Sequence, residues 1–194
     1  VVTPGGPTDG GDFGKNTIGS VTSGLQEAFN FASTRKKNVY IVGGGCAWTQ
    51  FVDPPVYYTI NASLYIPPGE NWVITGGEYM LHYPLDFLYD AVVIDSQLNS
   101  YIKLGMMAAL EQSNLGTYSL YKIRPQNPVG SENTIGTYNT TFDFNFIVGG
   151  GGAVVEDPLT PTAAGHGIAI DLDSTYGPIK SNKFGVLSKE GGFG

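Results

Sequence analysis

The sequence predicts an all-β fold of short stacked strands, a solenoid, with a single amphipathic helix near its start. Three observations point there. Charged residues make up only 14% of the chain, while Gly (28 residues), Tyr (12) and Phe (10) are plentiful. That composition suits strands joined by tight turns and suits a helical bundle badly. Short apolar runs recur between Gly, Asn, Asp and Pro, and many are continuously apolar, as in strands without a well-solvated face. Finally, Ala91-Val92-Val93-Ile94-Asp95 is echoed by Gly167-Ile168-Ala169-Ile170-Asp171. The 76-residue offset reads as three coils of about 25 residues. A sandwich and a jelly roll are compatible with the strand runs alone.

Residues 1–22 have the Gly, Pro, Thr, Asp and Ser content of a loop or linker. They stand apart from a domain expected over 23–194. Asp9-Gly10-Gly11-Asp12 could hold a cation, although two Asp in a Gly-rich turn are more often only a turn.

The helix is expected at about 23–36. Ser23 and Gln26 have capping-box spacing. Leu25, Ala28, Phe29 and Ala32 make one apolar stripe, and Arg35, Lys36 and Lys37 suit a helix C-terminus. Strands are expected at 38–42, 57–60, 64–66, 72–75, 79–83, 91–95, 101–104, 119–123, 141–148, 167–171 and 183–187.

The opening unit resembles the N-terminal portion of pectate-lyase-like, tailspike-like right-handed parallel β-helix proteins. The resemblance rests on Ser23-Gly24-Leu25-Gln26-Glu27-Ala28, then Val39-Tyr40-Ile41-Val42-Gly43, then Tyr58-Thr59-Ile60 with Leu64-Tyr65-Ile66-Pro67-Pro68-Gly69, and a strand into Gly76-Gly77. It covers residues 22–95 well and the rest loosely. It implies a right-handed β-helix whose first open edge is covered by the helix. It implies little about function, since the superfamily holds pectin-cleaving lyases and hydrolases, tailspikes, adhesins and structural surface proteins. No second cap follows Leu187, so a longer chain or an oligomer is expected. A start at Val1 rather than Met reads as a processed chain or a fragment.

Chemistry is sparse. Net charge is −7 with only 10 Lys+Arg and no basic stripe, which argues against nucleic-acid and anionic-membrane partners. No apolar run is long enough to span a membrane and no signal peptide stands at the start. The lone Cys46 reads as a small buried residue. The sequons Asn61-Ala62-Ser63 and Asn139-Thr140-Thr141 occur at a frequency expected by chance.

Gly165-His166-Gly167 resembles the Gly-His-Gly of polygalacturonase-like hydrolases, which makes His166 and, one coil earlier, Asp143 weak catalytic candidates. The family's adjacent Asp pair and Asn-Thr-Asp are missing, and Lys122-Ile123-Arg124 lies on the wrong side for its Arg-Ile-Lys. Asp171 and Asp173 share a strand face and are weak candidates for Ca²⁺. The plainer reading is a turn in which Asp173 bonds its own backbone. Glu156-Asp157-Pro158 reads as an exposed loop. Trp48, Phe51, Tyr57, Tyr58, Tyr83, Phe87 and Tyr89 could stack on sugars, line an interface or pack in the core.

The expectation is therefore a non-enzymatic surface or extracellular protein. It would be structural or adhesive, on a cell or virion, and would assemble as a homo-oligomer or filament. The alternatives are a polysaccharide hydrolase or lyase, or a glycan-binding module.

Overall fold

A computed structural model describes residues 1–44, 56–83, 89–109, 118–126, 135–148 and 168–188. The secondary structure is mostly β with one α-helix. After a short 3-10 turn at Gly6–Thr8 come α1 (Leu25–Arg35), β1 (Val39–Ile41), β2 (Tyr57–Thr59), β3 (Leu64–Ile66) and β4 (Gly69–Glu70). There follow β5 (Val73–Gly76), β6 (Met80–Tyr83), β7 (Val92–Ile94), β8 (Gln97–Leu98), β9 (Tyr101–Leu104) and β10 (Met106–Ala109). The last are β11 (Ser119–Ile123), β12 (Thr137–Tyr138), β13 (Thr141–Val148), β14 (Ile168–Leu172), β15 (Ile179–Lys180) and β16 (Lys183–Ser188).

Every named strand pairs in parallel. Sheet A has two arms, β1-β5-β9-β13 with β16 beyond, and β2-β6-β10-β13. Sheet B is β3-β7-β11-β14 and sheet C is β4-β8-β12-β15. The chain visits the sheets in a fixed order, so each circuit adds one rung. The architecture is all-β and solenoid-like, with parallel strands stacked rung on rung.

Stacking places like side chains in columns. In sheet A, Val39, Ile74, Ile102, Phe142 and Phe184 are in register. In sheet B, Ile66, Ile94, Ile123 and Leu172 are. The inward members of the first three rungs are buried and form one continuous core with the α1 stripe. Aromatic stacking extends it: the Tyr121 and Phe144 rings lie 3.9 Å apart and nearly parallel. Phe184 and Leu172, on the last described rung, are 40% and 50% exposed.

The circuits are not of one length. Val92 is in register with Tyr121 and Tyr121 with Ile170, steps of 29 and 49 residues. The 76-residue echo therefore spans two rungs, not three, and is two residues short of the true register. The shift is even, so it preserves which face each residue takes; that is why the echo survived. The constant part of each circuit is the step from sheet C to sheet A. It takes two residues each time: Asn71-Trp72, Asn99-Ser100, Asn139-Thr140 and Ser181-Asn182. The first of each pair is left-handed, with φ of 52°, 50°, 49° and 57°. Asn is among the non-glycine residues that best tolerate that region.

The second residues form a polar column. Trp72 N–H donates to Ser100 Oγ (3.2 Å), Ser100 N–H to Thr140 Oγ1 (3.4 Å) and Thr140 N–H to Asn182 Oδ1 (2.9 Å). Each turn thus uses a side chain of the next rung to satisfy a backbone donor that parallel pairing leaves over.

The N-terminal end is closed. The α1 stripe is buried as its spacing predicts. The expected capping box is not formed, because Ser23 (φ 51°) and Gly24 (φ 78°) are both left-handed and turn the Ser23 hydroxyl away to Thr59 O, 2.8 Å. Thr22 Oγ1 accepts from Gln26 N–H instead, at 3.2 Å. Gln26 is used otherwise: its Nε2 donates to Tyr65 O (2.8 Å) and its Oε1 accepts from Tyr65 N–H (2.7 Å). The side-chain amide pairs with β3 as another strand would. Val2 does the same for β1 with its backbone, donating to Tyr40 O and accepting from Val42 N–H, both at 2.8 Å. Within residues 1–22, Val2 and Thr3 are buried.

Candidate functional site

The outward face of sheet B brings four charged side chains together, Asp90, Lys122, Asp171 and Asp173. Alternation fixes this. On β11, Tyr121 and Ile123 point into the core, so Lys122 points out. Register puts Val93 on one side of it and Asp171 on the other. Lys122 Nζ lies 3.1 Å from Asp171 Oδ2, 3.8 Å from Asp90 Oδ2 and 3.9 Å from Asp173 Oδ2. One ammonium from the third rung therefore links carboxylates on the rungs before and after it. Burial alone would lower the Lys122 pKa, but the Asp171 hydrogen bond and the three carboxylates outweigh it and raise it. Lys122 is firmly cationic.

Each carboxylate has further bonds. Asp90 Oδ1 accepts from Ser119 N–H, 2.8 Å. Asp173 Oδ1 accepts from Thr175 N–H at 3.1 Å, the turn geometry expected of Asp-Ser-Thr. Thr175 bonding, with Lys122 and Arg124 nearby, holds the Asp173 carboxyl below its ordinary pKa. Asp95, almost fully buried at the end of β7, accepts from Tyr65 O–H on the first rung, from Ser96 N–H (2.7 Å) and from Gln126 N–H on the third (2.6 Å). Tyr89, beside Asp90, is 60% exposed.

The sequence candidates are thus distributed. Asp171 and Asp173 come together, but around Lys122, whose ammonium meets the charge demand a cation would meet. Among the described residues no group of three or more His, Cys, Asp or Glu is disposed to hold a metal ion. Asp143 lies elsewhere, on sheet A, where Tyr101 O–H donates to its Oδ2 at 2.9 Å. His166, Cys46, Trp48, Phe51, Phe87 and Glu156-Asp157 lie outside the described residues, as does the side chain of Tyr83. Asp9, in the N-terminal Asp-Gly-Gly-Asp segment, accepts from Thr3 O–H and from Gly5 N–H (2.6 Å). Tyr58 is in the core, edge-on to Tyr79 with ring centroids 5.4 Å apart, while Tyr57 is exposed and edge-on to His82 at 6.3 Å.

Lys122 and Asp90 were not expected. Their partners lie 32 and 49 residues away in a chain of unequal circuits, so spacing carries no signal for them. No protein-family model, curated protein or solved structure matches the chain.

Proposed function

We propose that the chain is a right-handed parallel β-helix of the pectate-lyase-like or tailspike-like kind. It serves as a non-enzymatic structural or adhesive module on a cell, virion or extracellular surface, and self-associates into a homo-oligomer or filament. Right-handedness is supported by the strong chiral preference of parallel crossovers. The observation that carries the structural reading is that four carboxylates, the buried Asp95 and the partly exposed Asp90, Asp143 and Asp171, bond between rungs. Tyr65–Asp95–Gln126 joins rungs one to three, Asp90–Lys122–Asp171 joins rungs two to four, and Tyr101–Asp143 joins the neighbouring strands β9 and β13 of sheet A. These bonds between rungs support a structural role for the carboxylates that make them.

The test is the native mass in solution, by light scattering, with and without EDTA. A discrete oligomer or a filament in both conditions is expected. A monomer at all concentrations overturns the self-association reading. Loss of the oligomer in EDTA would restore a metal role to Asp171 and Asp173.

A second reading, glycan binding or cleavage, is favoured by Tyr89, 60% exposed beside the charged face of sheet B, since an aromatic ring at the surface suits stacking on a sugar. Polysaccharide cleavage abolished by both His166→Ala and Asp143→Asn would replace the structural reading with a hydrolase.

A further inference from the structure

We draw no further inference here: the strongest candidate, the outer edge of the last described rung, formed by β14, β15 and β16 with Leu172 and Phe184 exposed, adds nothing to the self-association already proposed, because nothing in the structure shows what covers it.

Discussion

Thr140→Val tests whether the polar column at the sheet C to sheet A turn holds the rungs together. Thr140 is fully buried, and valine has nearly its shape, so the change leaves no cavity and removes only a hydroxyl. That hydroxyl donates to Tyr138 O at 3.1 Å and accepts from Ser100 N–H at 3.4 Å. Tyr138 O keeps its bond from Asn99 N–H (3.1 Å), so Ser100 N–H is the donor left without its partner. A buried polar group left unsatisfied costs ~1–3 kcal/mol. The bond lost is a long one and counts at the low end, about 1–2 kcal/mol. For a chain of this length that is a fall in Tm of roughly 2–8 °C. Urea unfolding followed by tyrosine and tryptophan fluorescence gives the free energy directly. Thr140→Ser, which keeps the hydroxyl, should recover most of it. A stack of rungs can open locally, so amide exchange in β9 and β13 should rise in the valine variant even if the global transition moves little. If Thr140→Val lies within about 0.5 kcal/mol of the parent in urea, the surface-substitution range, and leaves exchange unchanged, the column is not a structural tie and the reasoning fails.

Three further outcomes are expected. At the left-handed Asn99 (φ 50°), Asn99→Gly should be tolerated while Asn99→Val should cost about 1–3 kcal/mol, because a β-branched side chain is strained there; equal stability of the two variants in thermal melts would contradict this. Tyr58 and Tyr79 are pushed well above the ordinary tyrosine pKa, chiefly by burial. A raised folded pKa contributes stability below the unfolded value, near pH 10, that is lost as pH rises above it. Stability should therefore fall by up to roughly 1.4 kcal/mol per pH unit per buried tyrosine, with their phenolate absorbance appearing only on unfolding; early, unfolding-independent titration would refute it. Gln26→Leu should cost ~1–3 kcal/mol by stripping the Tyr65 backbone of its partner, and it should raise amide exchange in α1 and β3 first; unchanged exchange there would show that the amide does not cap the strand.

The helix and most strands could be read from the chain because their signals are local. Leu25, Ala28, Phe29 and Ala32 bury as their spacing says, and β9, β11 and β13 match the expected 101–104, 119–123 and 141–148. Sheet C was not legible, since strands such as Gln97–Leu98 and Thr137–Tyr138 are two residues long and have no periodicity. The helix N-terminus was misassigned because the capping pattern does not report backbone conformation, and Ser23 is left-handed. The recurring Asn before a polar or aromatic residue at 71, 99 and 139 was a usable signal for the turn, visible once the strands that follow it are aligned. The Lys122 cluster depends on circuits of unequal length meeting in three dimensions, which no one-dimensional period encodes.

The closed first edge has a consequence for how such a stack is made. Each rung of a parallel solenoid needs a finished rung beneath it, since its backbone donors and acceptors face up and down the axis. Val2, Ser23 and Gln26 supply that base from the earliest residues of the described chain. A ribosome releases those residues before any later circuit, so the template exists before the layers that need it. Layering is thereby given a direction: the molecule is built from a blocked floor upward, and accretion on the floor side is shut off from the first turn.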